Sequence, residues 1–490
     1  MAAEPASTAR DRRLGAGLFA AAVLVFLAGG LVGIDDPWED GFRGANGGFY
    51  HGNAVRHWLK LGLGYVNGGA VLGALPGDRP HVFFYLNHPP TYPLLLYPAA
   101  AAFGCTERTL RLAALALALP AVFLLGAVVR RLTGPVGGGA AALAFAASPL
   151  GHYYGPMVNV DGAVVSATLA AVLLQLRRLE RPSRSADAAV FAACLFAALI
   201  DWGGLWTAPT VAAVGLAMGR GLKGSLRDLF AYGLATALAL AAFVLHAGVV
   251  TGEGAAGFLR RFSETAAELR AAAPSGPEVL AAAGRQAFLC GAFLPLAVVG
   301  AVRLFRSGGD GKRSAAASLA LLLPGVLHAV AHPKGFVVHE FWFYEGLPGV
   351  AALAGAAVRK SPPRSALVLF AAAAAVGVAT SESMRRDHAG PERKDRANAV
   401  RTFLGPKDAG TTNEPFSAEL FYIPGFVMPG ISTPEALGAV YAQWRAEPRA
   451  GDRFVFFTHR YRKDAAVALA ARAYAEPFVS GDYLVFAVRR

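Results

Sequence analysis

Long apolar runs, separated by short polar connections, make up most of the chain up to residue 380. A helix needs about 20 predominantly apolar residues to cross a bilayer, and many of these runs approach that length. The runs lie at residues 14–34, 109–129, 135–152, 161–176, 187–200, 205–219, 229–250, 286–302, 314–331, 341–358 and 364–380. The pattern predicts a polytopic α-helical membrane protein of about 11 transmembrane helices, with residues 1–380 as its transmembrane domain.

The connections between the runs differ in charge. If the N-terminus is cytoplasmic, the connections inside hold 19 Lys and Arg residues, at 10–13, 130–131, 177–184, 220–227, 303–313 and 359–364. The short connections outside, at 153–160, 201–204 and 332–340, hold only Lys334. Positive charge favours the cytoplasmic side, so we predict a cytoplasmic N-terminus in a bacterial-type inner (plasma) membrane. The first run has no small-residue cleavage site and is interpreted as an uncleaved span rather than a signal peptide.

Composition agrees with a membrane protein and argues against other classes. Hydrophobic residues make up 55% of the 490 residues and charged residues 16%, with a mean hydropathy of +0.42. The net charge of +13 does not indicate nucleic-acid binding, because the basic residues lie in small clusters between apolar runs. The three cysteines are scattered, so neither a disulfide framework nor a zinc site is predicted.

Three segments are predicted to lie on the outer side: the loops 35–108 and 251–285, and the tail 381–490. The stretch "HPPTYPLLLYPAAAAFG" (88–104) is short and broken by prolines, which favours a helix lying at the membrane interface. In the tail, "RFVFFTH" and "YLVFAVRR" are typical of buried strands, and "DAAVALAARAYAE" between them is typical of a helix. We therefore predict that residues 381–490 form a small extracytoplasmic α/β domain.

Unusual polar residues collect on this predicted outer face. They are Asp35, Asp36, Glu39 and Asp40 after the first run; Tyr50, His51, Asn53, Arg56 and His57; His88; Asn159 and Asp161; Asp201 and Trp202; and His332, Lys334, His339 and Glu340. Such a rim suits a reaction on a membrane-held substrate, with acids for a base or a metal and cations for a phosphate. Each residue alone is also explained as an interfacial anchor, a lipid-headgroup contact or a solvated loop residue.

Four features resemble the GT-C membrane glycosyltransferases, in particular the family 39 and aminoarabinose-transferase-like branch that uses polyprenyl-phosphate sugars. An acidic first loop precedes "AVRHWLKLG", and the segments "HPPTYPLLL" and "FGCTERTLRL" follow it. Asp161 stands where the family places a second acid. The resemblance covers about residues 14–350. It departs where the family has an Asp-Glu pair before the tyrosine, because Asn46 and Gly47 occupy those positions here.

The resemblance implies an inverting transfer of a sugar from a polyprenyl-phosphate donor to an acceptor glycan, lipid or protein on the outer face. It implies Asp40 as the catalytic base, with Glu39 and Asp36 as substitutes, and Asp161 as a second acid. The implied substrate-binding residues are Tyr50, Arg56, His88, Asn159, Asp201, Lys334 and His339. Family members differ in metal dependence, so the cofactor stays open; Asp40 and Asp161 would hold a divalent metal.

Two other classes remain as alternatives. A polytopic transporter would also have many spans, but transporters usually hold their ionisable groups near the bilayer midplane and often show inverted repeats. A non-catalytic membrane scaffold or sensor would use the tail to bind a partner, and its acids would be replaceable without loss of function. An oligosaccharide-transferring enzyme would differ only in the size of its donor.

Overall fold

The computed structural model describes most of the chain, and structural statements below concern those residues. They are 8–38, 41–75, 81–271, 273–359, 362–388, 392–405, 408–413, 421–422, 426–429, 431–447, 453–459, 465–480 and 483–489. The chain divides into two compact units, each built from two stretches of sequence. Unit 1 comprises Met1–Ile34 and Arg111–Asp387, and unit 2 comprises Asp35–Leu110 and His388–Arg490.

Helices account for most of the structure. The first eleven α-helices are α1 Ala9–Leu31, α2 Gly41–Gly44, α3 Asn53–Leu61, α4 Thr91–Phe103, α5 Glu107–Ala118, α6 Pro120–Thr133, α7 Pro135–Ala147, α8 Val160–Glu180, α9 Arg184–Ile200, α10 Thr207–Ala217 and α11 Leu222–Thr251. The others are α12 Gly254–Ala271, α13 Gly276–Cys290, α14 Phe293–Arg306, α15 Gly309–Ala320, α16 Leu323–Ala331, α17 Pro333–Val338, α18 Leu347–Ala357, α19 Arg364–His388, α20 Glu392–Phe403, α21 Pro434–Ala446 and α22 Ala466–Ala471. Short π-helical segments lie at Ala45–Gly52 and Leu150–Tyr154, and 3₁₀ segments at Trp202–Trp206 and Tyr344–Gly346.

Every apolar run named above contains helix, which confirms the helical membrane fold. By length and composition, six helical segments among the described residues could cross a membrane. They are Ala9–Leu31, Glu107–Thr133, Val160–Glu180, Leu222–Thr251, Gly309–Ala331 and Arg364–His388. The pair α13 and α14, bent by 83° at a break containing Gly291, brings the number to seven if it forms one span. The count of eleven therefore stays a prediction.

Small residues let the helices of unit 1 approach closely. Helix α7 is buried from Val136 to Ala147 and packs against α1, α6 and α18. A Cβ atom on Gly139 would lie 2.2 Å from the carbonyl oxygen of Gly15, and one on Gly355 would lie 2.5 Å from that of Gly137. Contacts this short are possible only without side chains, which is how small residues join helices in membranes.

Unit 2 contains two β-sheets. The strands are β1 Val71–Leu75, β2 His81–Phe84, β3 Ala409–Thr412, β4 Phe426–Met428, β5 Arg453–His459, β6 Phe478–Ser480 and β7 Tyr483–Arg489. Strands β1 and β2 form an antiparallel pair, and the other five form a sheet in the order β4-β3-β5-β7-β6. In the larger sheet β3 is parallel to β4 and β5, whereas β7 is antiparallel to β5 and β6. The two strands and the helix predicted in the tail are confirmed as β5, β7 and α22.

Both faces of the larger sheet are covered, as the alternation along β5 requires. Phe454 and Phe456 face a core that includes Trp444 of α21 and residues of α22. Val455 and Phe457 face the opposite core, which includes residues of α20. Phe49 and Leu72 of the first outer loop also belong to that second core. We predicted this loop as part of the transmembrane domain, residues 1–380. In the structure it belongs to the same compact unit as the C-terminal segment.

Candidate functional site

Two polar residues lie at the N-terminus of the membrane-spanning helix α8. Asn159 precedes the helix in an extended conformation, and Asp161 lies in its first turn. Both are buried, and the side-chain amide of Asn159 donates a hydrogen bond to the Asp161 carboxylate. The helix dipole favours a carboxylate at this end. The structure thus places Asp161 in a fixed orientation, together with the predicted substrate-binding residue Asn159.

Two more buried acids lie near Asp161. Asp201 stands between α9 and the segment Trp202–Trp206, and Glu345 lies in the segment Tyr344–Gly346. The three carboxylates are close enough to interact electrostatically. His328 of α16 pairs with Glu345, with 3.1 Å between Nδ1 of His328 and Oε2 of Glu345. We call Asp161, Asp201, Glu345 and His328 the acidic cluster of unit 1.

Two polar atoms beside this cluster lack a hydrogen-bond partner among the described residues. They are Oε1 of Glu345 and the hydroxyl of Tyr344. Glu345 is 2% exposed and Tyr344 1%. Leaving a buried polar atom unpaired costs about 1–3 kcal/mol, and such atoms are rare in folded proteins. Tyr344 also interacts electrostatically with Asp161, so both atoms belong to the surroundings of that carboxylate.

The segment that carries Tyr344 and Glu345 is held by α13. The side-chain amide of Gln286 donates to the carbonyl oxygen of His339 at 3.0 Å and accepts from the backbone N–H of Phe343 at 3.3 Å. Gln286 is buried, and its two hydrogen bonds hold residues 339–343 against α13.

Aromatic contacts connect His339 with the acidic cluster. His339 stacks on Trp342 with ring centroids 4.6 Å apart, and Trp342 lies 4.8 Å from His328. The structure therefore brings the predicted residue His339 towards the cluster. Lys334 lies on α17 with an exposed side chain, outside the buried part of the site.

Unit 2 brings together two other predicted substrate-binding residues. Tyr50 lies 4.7 Å from Tyr85, and Tyr85 stacks on His88 at 5.4 Å, measured between ring centroids. Burial raises the pKa of Tyr50 above its usual value, so its hydroxyl keeps its proton. This row presents aromatic faces and an imidazole, which are groups that contact sugars or lipid headgroups.

Helix α3 carries two cations one turn apart, Arg56 and Lys60. Burial lowers the pKa of Arg56 to about 10, and burial together with the charge of Arg56 lowers that of Lys60 to about 8. Arg56 donates a hydrogen bond to the carbonyl oxygen of Phe421 at 3.2 Å. Two neighbouring cations whose charged forms are disfavoured by burial form a suitable place for an anion such as a phosphate.

The acidic stretch after the first span is described only in part. Asp35 and Asp36 are exposed, and Asp35 forms an ion pair with Arg108. Glu39 and Asp40 lie outside the described residues. The assignment of the catalytic base to Asp40, with Glu39 and Asp36 as substitutes, therefore stays a prediction.

No group of three or more His, Cys, Asp or Glu side chains within the described ranges is arranged to hold a metal ion. The predicted metal ligand Asp40 lies outside those ranges. Metal binding by Asp161 and Asp40 thus stays a prediction.

Glu345, His328 and Tyr344 were not predicted from the sequence. Glu345 lies in the stretch "AHPKGFVVHEFWFYEG" (331–346), of which the prediction included only His332, Lys334, His339 and Glu340. The available signal was the presence of ionisable residues inside the apolar runs 314–331 and 341–358, since such residues are rare in membrane helices and usually functional.

Comparisons with known proteins give the family context. Residues 87–247 match the family model of the dolichyl-phosphate-mannose-protein mannosyltransferases. This range includes His88, Asn159, Asp161 and Asp201. No curated protein sequence matches the chain.

Solved structures match over nearly the whole chain. ArnT from Cupriavidus metallidurans, solved bound to undecaprenyl phosphate, matches with a TM-score of 0.66 and 15% identity over 96% of this chain and 98% of its own. The oligosaccharyltransferase of Archaeoglobus fulgidus, solved with a tethered acceptor peptide, matches with a TM-score of 0.53 and 13% identity over 95% of this chain and 72% of its own. Arabinofuranosyltransferase AftD from Mycobacteria gives a TM-score of 0.53 and 16% identity over 99% of this chain and 40% of its own. The resemblance found in the sequence is confirmed: the chain is a multi-pass membrane protein with the fold of the GT-C glycosyltransferases.

Proposed function

We propose that the protein is an inverting glycosyltransferase. It transfers a sugar from a polyprenyl-phosphate donor to a glycan, lipid or protein acceptor on the outer face of the membrane. The observation that carries the proposal is the acidic cluster at the N-terminus of α8, in a chain with the GT-C fold and a partial match to mannosyltransferases. The ArnT structure was solved with undecaprenyl phosphate, which supports a lipid-phosphate donor.

The chemistry needs a base for the acceptor and positive charge for the departing phosphate. Asp40 is the proposed base, and it accepts the proton of the attacking hydroxyl or amine. Asp161, oriented by Asn159, positions the acceptor and, with Asp40, is the proposed holder of a divalent metal. The bond to the sugar forms as the bond to the phosphate oxygen breaks, and polyprenyl phosphate leaves.

Arg56, Lys334 and His339 are the proposed phosphate ligands, and Tyr50, His88 and Asp201 the other substrate contacts. The lowered pKa of Arg56 supports its role as a phosphate ligand, because a bound anion would stabilise the charged guanidinium that burial disfavours.

The test is release of free polyprenyl phosphate from radiolabelled polyprenyl-phosphate hexoses by purified protein in nanodiscs. We expect Asp161→Asn and Asp40→Asn each to lower turnover by 10²-fold or more. Asp310→Asn is the matched control, because this carboxylate is exposed and pairs only loosely with Arg313. Adding EDTA decides whether a metal takes part.

Turnover that stays at the wild-type level in folded Asp161→Asn would refute the site assignment. If the wild-type protein consumes none of the donors, the proposal fails and the transporter and scaffold alternatives gain support.

A further inference from the structure

Trp38 stands immediately before the acidic residues Glu39 and Asp40 in the sequence. Its side chain is buried, with 2% exposed. The backbone N–H of Trp38 donates a hydrogen bond to the hydroxyl of Tyr422 at 2.8 Å, although the two residues are 384 positions apart. The ring of Trp38 also packs edge-on against that of Phe421, with centroids 5.5 Å apart. Two residues of the C-terminal segment thus hold the residue that precedes the proposed base.

Phe421 and Tyr422 are themselves held by two arginines. Arg56 donates a hydrogen bond to the carbonyl oxygen of Phe421 at 3.2 Å, and Nε of Arg401 donates one to that of Tyr422 at 3.0 Å. Hydrogen bonds from a charged donor are about twice as strong as those between neutral groups. Arg56 is also one of the proposed phosphate ligands. The same two residues therefore contact a proposed phosphate ligand and the residue beside the proposed base.

Gly47 leaves the space that the Trp38 ring occupies. A Cβ atom on residue 47 would lie 2.3 Å from Cζ3 of Trp38, and a contact under 3.0 Å forces a displacement. Position 47 is one of the two at which the family pattern has an acid. An acidic side chain there is incompatible with Trp38 in its present place, and the acids of this chain instead follow the tryptophan directly.

We propose that Phe421 and Tyr422 are positioning residues for the catalytic base, and that they act through Trp38. The inference rests on the proposed glycosyltransferase function and gives the C-terminal segment a part in it. A catalytic group that is misplaced by about 1 Å can lose about 10²-fold in rate, so the contacts of Trp38 matter for kcat. Neither Phe421 nor Tyr422 touches the donor in this scheme, and the KM of the donor does not depend on them.

The experiment measures the release of free polyprenyl phosphate from radiolabelled polyprenyl-phosphate hexoses, at several donor concentrations, by purified protein in nanodiscs. Tyr422→Phe removes only the hydroxyl that accepts from Trp38, and Gly47→Ala places a methyl group against the Trp38 ring. Tyr441→Phe is the matched control, because Tyr441 packs against the opposite core of the same sheet. Thermal unfolding of every variant shows that the comparison is made on folded protein.

We expect Tyr422→Phe to lower kcat about fivefold, which corresponds to one hydrogen bond, and to leave the KM of the donor unchanged. Gly47→Ala should lower kcat by about tenfold or more, and Tyr441→Phe should behave as the wild type does. The decisive comparison repeats Tyr422→Phe in a variant that carries both Glu39→Gln and Asp40→Asn, whose residual turnover is followed over longer times. Tyr422→Phe should have no further effect there, because the acids that it positions are gone.

Three results would overturn the inference. Wild-type kcat in Tyr422→Phe or in Gly47→Ala would show that the contacts of Trp38 do not position the base. An equal loss with and without the two acids would indicate a structural role, and a loss confined to the KM of the donor would assign the segment to donor binding.

These three results leave the proposed function intact, since the wild-type protein still turns over the donor and still depends on its acids. A wild-type protein that consumes no donor refutes the proposed function and this inference with it. Wild-type turnover in the variant that lacks both acids refutes the proposed base, and with it the group that Phe421 and Tyr422 would position.

Discussion

The Glu345 carboxylate packs against Gly203, in the space that a side chain at position 203 would occupy. A methyl group added at this position would displace the carboxylate. A Cβ atom on residue 203 would lie 1.4 Å from Oε1 and 2.2 Å from Cδ of Glu345. An ordinary contact is about 3.4 Å, so the carboxylate would have to move by about 2 Å. The end of a glutamate side chain usually moves easily, but this one is buried and paired with His328. We therefore expect Gly203→Ala to break the pair.

The magnitude follows from the groups left behind. Separating Glu345 from His328 leaves buried polar atoms unpaired, which costs about 1–3 kcal/mol. Replacing glycine by alanine also reduces the conformational entropy of the unfolded chain, which offsets about 0.4–1 kcal/mol of this cost. We expect a net destabilisation of about 1–2 kcal/mol, seen as a lower Tm, together with a loss of sugar transfer.

The assay is thermal unfolding in detergent, run beside turnover of the lipid donor. Gly233→Ala is the control, because a Cβ atom there meets nothing within 4 Å in the middle of α11. It should stabilise the helix by up to about 1 kcal/mol. The decisive comparison repeats Gly203→Ala in a Glu345→Ala background, where the clash is absent. An equal loss of stability in both backgrounds would refute the reasoning.

Three further predictions concern other parts of the molecule. Burial and the charge of Arg56 lower the pKa of His57 to about 3. As the pH falls, the imidazole of His57 is therefore protonated in the unfolded chain before it is protonated in the folded protein. The free energy of unfolding should be unaffected above about pH 6.5 and lower by about 2 kcal/mol at pH 5. His57→Asn should lack this decrease. Arg453 donates to both oxygens of Asp408, so Arg453→Met should destabilise the C-terminal domain by about 1–3 kcal/mol in chemical unfolding, and Arg453→Lys by less. Gln286→Leu should speed hydrogen exchange in residues 337–346 with no effect in α7; unchanged exchange would contradict its role as a clamp.

The periodic signals of the sequence were sufficient for much of the fold. Runs of apolar residues identified the helical regions, and the short continuous apolar run in "RFVFFTH" identified β5, because both faces of this strand are buried. The short strands β3 and β4 were missed, since segments of four and three residues carry little periodicity. The hairpin β1–β2 was missed for the same reason, and its close approach to β4 depends on Gly73, where a Cβ atom would lie 2.5 Å from the carbonyl oxygen of Val427.

The site was predicted unevenly. Asn159, Asp161 and Asp201 could be found because each lies at the end of an apolar run, where a polar residue is conspicuous. Glu345 and His328 come together from different helices, and their pairing depends on tertiary packing rather than on spacing along the chain. Periodicity cannot reveal such a contact.

The composition of unit 2 also affects how the protein is made. Phe49 and Leu72 of the first loop share a core with Val455 and Val485, which lie close to the other end of the chain. At about 5–20 residues per second, a ribosome needs on the order of 15–60 s to synthesise the stretch between the two halves of the unit, Leu110 and His388. During that time the loop's apolar residues lack their partners and depend on the membrane or on chaperones for protection. Mutations in the last strands should therefore reduce the yield of protein in which the first loop is folded. The folding of an N-terminal loop thus depends on residues that are synthesised last.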